Sequence, residues 1–231
     1  MIRTLQAELV DDLPADHPGA IETRRDLRRI NTLMGHAGIF VRSLKRVFPQ
    51  QPPARMLEIG AGDGEILLRV ARRLAGQWRD VDVTFVDLQD LLNDKTKADF
   101  AALNWNVRSV EGDIFKWMID TATEKTDAVL ANLVLHHFTD AQLTTLFSAA
   151  AKKANAFIAV EPRRDRWSYF FSRCLALVGC GPVARHDAPI SVQAGFTRRE
   201  LCQLWPQDGT WQLTERRAGL FSHLFIAQRK S

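Results

Sequence analysis

The stretch MLEIGAGDGEILLRVA, Met56 to Ala71, constrains the fold more than any other part of the chain. Met56 to Ile59 is short and apolar apart from Glu58, which reads as a buried strand. Gly60, Gly62 and Gly64 follow, alternating with Ala61 and Asp63. Ile66, Leu67, Val70, Ala71 and Leu74 then recur at helical spacing. Strand, glycine turn and helix is a layout for holding a nucleotide at the carboxyl edge of a parallel sheet. Glycine is needed there because the chain turns sharply and because a Cβ would keep the ligand away.

Several ligand classes use such a turn, and two details narrow the choice. A dinucleotide fingerprint, G-x-G-x-x-G, needs its third glycine where this chain has Glu65; here it comes one residue early, at Gly64. Glu58 stands two residues before Gly60, where a carboxylate would repel a pyrophosphate but not a ligand with a cationic amino-acid end. No G-K-[ST] follows, so the turn is not a Walker A loop.

Three further strand ends line up behind the first. VDVTFVDLQD reads as a strand, Val81 to Val86, closed by Asp87, an acid placed to accept hydrogen bonds from ribose hydroxyls. VRSVEGDIFKW gives a short strand, Val107 to Val110, then Gly112, Asp113 and Ile114. TDAVLANLVLHHF gives a strand, Ala128 to Ala131, then Asn132, His136, His137 and Phe138. Taken singly, Asp87 and Asp113 could equally be helix caps.

The turn resembles motif I of the class I S-adenosylmethionine (SAM) methyltransferases, E/D-x-G-x-G-x-G, and the other strand ends follow that family's order. The resemblance implies an α/β, three-layer Rossmann-like fold: a seven-stranded sheet with the last strand antiparallel, plus N-terminal helices. It implies SAM as cofactor, contacted by Glu58, Gly60, Ala61, Gly62, Gly64, Asp87, Leu88, Asp113, Ile114 and Asn132. Asp113 would meet the adenine amino group, with Ile114 packed on the ring. Asn31 and Gly35 would cover the methionine end. The flanks RRDLRRINTLMG, LVLHHF, EPRRDRWSYFF and PISVQAGFTRREL resemble a narrower group, the bacterial small-molecule methyltransferases found with type III polyketide synthases. The acceptor so implied is a hydroxyl of an aromatic or polyketide-like, even lipidic, compound. His36, in place of a small residue, and Glu161-Pro162 at the end of the fifth strand depart from that group.

The expected organisation is an N-terminal arm and helices covering the cofactor site (1–50), then a SAM-binding domain (51–231) with a lid or acceptor insertion at about 163–195. Helices are expected in TRRDLRRINTLM and AGIFVRSLKRVF, from Gly64 to Leu74, around Asp90 to Ala102, from Asp140 to Ala154, from Trp167 to Val178, and in TRRELCQLW. AFIAVEP is the fifth strand, and WQLTERRAG with SHLFIAQRK a closing antiparallel pair. A chain of 231 residues can bury one full-sized core. Its net charge of +4 is no nucleic-acid signature by itself. Three cysteines without a C-x-x-C pair argue for a reducing compartment, and the first twenty residues have no apolar signal region, so a cytoplasmic location is expected. No run approaches the roughly 18 apolar residues of a membrane span. Six scattered histidines give no ligand-spaced cluster, so no metal is expected. Peripheral lipid contact and the oligomeric state stay open.

Methyl transfer to a hydroxyl needs alignment, exclusion of water and removal of a proton. A neutral imidazole is a sensible base, so His137, or second His136, is the catalytic candidate; either could also be a cap or core residue. Arg163 and Arg164 could hold an anionic acceptor, and Trp167 could line its pocket. A nucleic-acid methyltransferase is the first alternative, but Asn132-Leu133-Val134-Leu135 lacks the paired prolines of amine-modifying enzymes, and no cysteine follows a proline. A non-catalytic SAM-binding module is the second. A nicotinamide oxidoreductase ranks last.

Overall fold

A computed structural model describes residues 1–120 and 125–230. Seven strands form one sheet in the order β3-β2-β1-β4-β5-β7-β6. They are β1 (Arg55–Ile59), β2 (Val81–Asp87), β3 (Trp105–Glu111), β4 (Thr126–Asn132), β5 (Ala154–Pro162), β6 (Trp211–Ala218) and β7 (Ser222–Arg229). The first five are parallel, and β7 enters antiparallel between β5 and β6. This is the Rossmann-like methyltransferase fold expected from the sequence.

Both faces of the sheet are covered, which is why its inner strands are apolar almost without alternation. Met56, Ala128, Leu130, Ile158 and Ile226 point into one core with Phe40 and Leu44 of α2 (His36–Val47) and Leu67 and Ala71 of α3 (Glu65–Leu74). Leu57, Val129, Ala131, Phe157 and Phe225 point into the other. There they meet α5 (Ile114–Ile119), α6 (Asp140–Lys153) and α9 (Glu200–Leu204). Helix α1 (Pro18–Leu33) precedes α2, and α4 (Asp94–Ala101) follows β2.

The insertion after β5 differs from its expected single helix. Helix α7 spans only Arg166–Ser172, and a 3-10 turn, Leu175–Val178, follows. The break lets the chain double back: Cys180 N–H donates to Leu175 O, and Gly181 N–H reaches Asp26 Oδ2 on α1 at 2.7 Å. A further helix, α8 (Pro182–Ala194), then forms with Pro189 inside it. The N-terminal arm binds that helix, because Leu9 and Val10 donate their N–H groups to the Asp187 carboxylate. Arg3 fastens the same arm to Phe138 O, Asp140 and Ala194 O. Among the described residues, no helix is long and apolar enough to cross a membrane.

Candidate functional site

The glycine turn stands at the carboxyl edge of β1 with three left-handed glycines, Gly60 (φ +62°), Gly62 (φ +56°) and Gly64 (φ +72°). Gly60 is pinned from both sides. Its N–H donates to Val86 O at 2.9 Å, and a Cβ there would sit 2.5 Å from Val134. Gly62 is different: a Cβ would meet nothing within 4 Å, so this peptide borders open space. Its N–H donates to Asp87 Oδ2 at 2.8 Å, tying the turn to the end of β2. Asp87 Oδ1 accepts from Gln89 N–H at 3.3 Å, and each oxygen keeps a second lone pair for a ligand hydroxyl.

The floor of the turn is acidic. Glu58 is buried, and its Oε2 has no hydrogen-bond partner among the described residues. Burial pushes its pKa well above the ordinary carboxylate value, and the charges of Asp63 and Asp87 push it further. A buried carboxyl with one unpartnered oxygen beside two more acids keeps its proton by itself and would give it up to a cation placed against it. It fits the ammonium and sulfonium of SAM and opposes a pyrophosphate. Ala61 is buried beneath the turn and Leu88 is exposed beyond β2. Asp113 caps α5, accepting from Phe115 N–H at 2.7 Å, with Ile114 buried behind it.

Asn132 ends β4 and is held by a polar chain that sequence reading missed. Its Oδ1 lies 2.7 Å from His36 Nδ1, and His36 Nε2 lies 2.9 Å from Ser222 Oγ. Asn132 Nδ2 donates to Asn31 Oδ1 at 3.3 Å, which brings α1 to the site. Gly35, left-handed at φ +70°, begins α2 and aims His36 inward. Burial drives the His36 pKa down to about 4, against the Asn132 hydrogen bond and the Glu161 charge, so the ring is neutral. Leu133 follows with φ +54°, a conformation L side chains rarely adopt, and turns the chain into the 3-10 segment Leu135–His137.

The adjacent histidines of that segment part company. His136 is buried, its Nδ1 2.8 Å from Glu161 Oε2 and its Nε2 3.4 Å from Glu8 Oε1. Burial alone would lower its pKa; hydrogen bonds to Glu161 and Glu8 and their charges win and hold it at about 9. At neutral pH His136 is therefore a fixed cation with no free lone pair for proton abstraction. Glu161 also accepts from the N–H groups of Val134, Leu135 and His136, so it anchors the whole segment. His137 is half-buried, with Nδ1 3.5 Å from Asp11 Oδ2 of the arm. Glu8, His136 and His137 place three potential metal-ligand atoms within 4.8 Å of one another, but the His136 imidazolium already serves as the cation between two carboxylates.

The basic candidates also diverge. Arg164 is buried and spent on structure, donating to Gly195 O, Met1 O and Glu200. Arg163 is half-buried and lies 2.5 Å from Asp165. Trp167 on α7 is exposed.

Residues 56–155 match the family profile described as a methyltransferase domain. The fold is similar to a plantazolicin methyltransferase, BpumL, solved in complex with SAH, at 16% identity, 96% coverage of this chain, 93% of that one, and a TM-score of 0.67. It is similar to a putative O-methyltransferase from Nostoc punctiforme PCC 73102, at 14% identity, 99% and 64% coverage, and a TM-score of 0.62. Magnesium protoporphyrin IX methyltransferase from Synechocystis PCC 6803, with bound SAH, aligns at 12% identity, 94% and 96% coverage, and a TM-score of 0.60. No curated protein matches the sequence. Residues 56–155 thus match a methyltransferase profile, and the chain as a whole takes the class I methyltransferase fold. The cofactor of that class is S-adenosylmethionine.

Proposed function

We propose that this protein is an O-methyltransferase for a hydroxyl of a small aromatic or polyketide-like acceptor. The observation that carries the reading is an acid-floored glycine cradle at the sheet edge, with a half-buried imidazole, His137, on the segment that follows β4. The resemblance of the flanks to methyltransferases found with type III polyketide synthases supports this acceptor class, and the putative O-methyltransferase among the similar structures supports oxygen as the methylated atom.

SAM bound at the cradle supplies a methyl group already activated by its positive sulfur. Glu58 would hold its ammonium, Asp87 the ribose hydroxyls, Asp113 and Ile114 the adenine, and Asn132 with Asn31 the methionine end. His137 would take the hydroxyl proton as the acceptor oxygen gains the methyl group, and Asp11 would orient the ring and stabilise the imidazolium. Arg163 would line the acceptor side, whereas Trp167, 72% exposed, stands outside it.

The test has two stages. Calorimetric titration with S-adenosylhomocysteine should show one equivalent bound, and far weaker binding by Asp87→Ala; a folded wild type that binds none sinks the reading. Turnover across a panel of phenols and pyrones should then fall about 10²- to 10⁴-fold in His137→Ala. Cofactor binding without turnover anywhere in the panel would leave a non-catalytic binding module.

A further inference from the structure

The insertion after β5 carries a surface that methyl transfer does not require. Trp167, Phe170, Phe171, Leu177 and Val178 stand exposed along it, Trp167 at 72% and Leu177 at 86%. Leu220, 67% exposed, tips the turn between β6 and β7. The two segments meet, since the Phe171 ring packs on Phe221 at 5.2 Å and on Phe170 at 5.5 Å. Trp167, Phe170, Phe171 and the Leu220–Phe221 turn thus cluster, with Leu177 and Val178 exposed further along the same insertion, an apolar surface of a kind that soluble proteins rarely leave uncovered.

The charge around the patch is one-sided. RWSYFFSRCLALVGCGPVAR, residues 166–185, contains three arginines and no acid, and RRAGLF, residues 216–221, contains two arginines and no acid. Arg166, Arg173, Arg185, Arg216 and Arg217 are all exposed. Asp165 pairs with Arg163, and Asp26 holds Gly181 N–H; Glu22, against Gly181, is an exposed acid set against the five arginines.

We propose that this patch docks the protein on an anionic lipid bilayer, with the aromatic and leucine tips in the headgroup boundary and the arginines on the lipid charges. Aromatic and leucine tips bordered by arginine suit that boundary. A second copy of the chain suits it poorly, because a two-fold contact would bring two arginine borders together. The side chains also stand too far out in solvent to enclose a small acceptor. The patch adjoins the candidate site through Phe221, whose neighbour Ser222 pairs with His36.

Vesicle co-sedimentation tests this without any assumption about the acceptor. The intact protein should bind phosphatidylglycerol-containing vesicles, bind pure phosphatidylcholine weakly, and lose binding as salt rises. Arg166→Glu and Arg173→Glu should each weaken binding, by roughly fivefold for the lost arginine alone. Phe170→Glu and Leu177→Glu should abolish it while leaving the melting temperature unchanged. No binding to anionic vesicles, or binding that ignores all four substitutions, overturns the proposal. So does a dimer in solution that Leu177→Glu dissolves while vesicles stay unbound.

Discussion

Gly60 and Gly62 share a left-handed backbone but answer to different neighbours, so the same substitution should separate their roles. In Gly60→Ala the new methyl meets Val134 at 2.5 Å, and strain and overpacking together should cost about 2–5 kcal/mol of stability. In Gly62→Ala the methyl enters open space, so only the backbone penalty of about 1–2 kcal/mol applies, but cofactor binding should be lost. Denaturant melts beside calorimetric titration distinguish the two. Glu58→Gln should weaken S-adenosylhomocysteine about 10- to 100-fold, because a charge-assisted bond to the ammonium is lost. Its stability should hold or rise, since a buried unpartnered acid has been removed; unchanged affinity would remove Glu58 from the site. These positions were legible because glycine spacing and a strand-end acid are local signals. The fate of His136 was not, because Glu161 and above all Glu8 reach it from distant parts of the chain, and nothing in the sequence around Glu8 marks it.

At the scale of elements, the strands were readable and differ from expectation by a residue or two at their ends, because a sheet covered on both faces writes itself as apolar runs. Helix α8 was not readable. It opens on Pro182, an acceptable first helical residue, but Pro189 within it removes a backbone donor and reads as a break. The interior placement is secured from outside, by Asp187 gripping the arm and by the packing of Ala184, Val192 and Ala194. Helix α6 is the opposite case, announced by a complete capping box in which Thr139 Oγ1 accepts from Gln142 N–H and Gln142 Oε1 accepts from Thr139 N–H. Thr139→Ala should cost about 1 kcal/mol, a drop of roughly 2–4 °C in melting temperature by calorimetry. A drop within error would mean that Arg3, which ties Phe138 O and Asp140 to the arm, holds the helix start by itself.

Across the whole molecule, two buried histidines set opposite pH limits on one fold. His136 is held at about 9, above its ordinary value of 6.5, so the native state keeps a proton that the unfolded chain releases. Its stabilisation is complete below pH 6.5 and is lost as the pH rises through 9. His36 is depressed to about 4, so its contribution is complete above pH 6.5 and fades as the pH falls toward 4. Glu8 shifts to match: burial raises it, but the hydrogen bond from His136 wins and holds it below the ordinary carboxylate value. Melting temperature should therefore decline on both sides of neutrality. His136→Gln should lower the melting temperature at pH 7 and flatten the decline between pH 7 and 9. His36→Asn should leave that limb intact and flatten the region between pH 4 and 6.5. Melts of both variants over pH 4–10 decide the matter, and an alkaline limb that survives His136→Gln would place the proton elsewhere. The alkaline limb also bears on catalysis. Once His136 loses its proton, Glu8 loses the cation that holds it, and the arm carrying Asp11 loses one of its anchors beside His137.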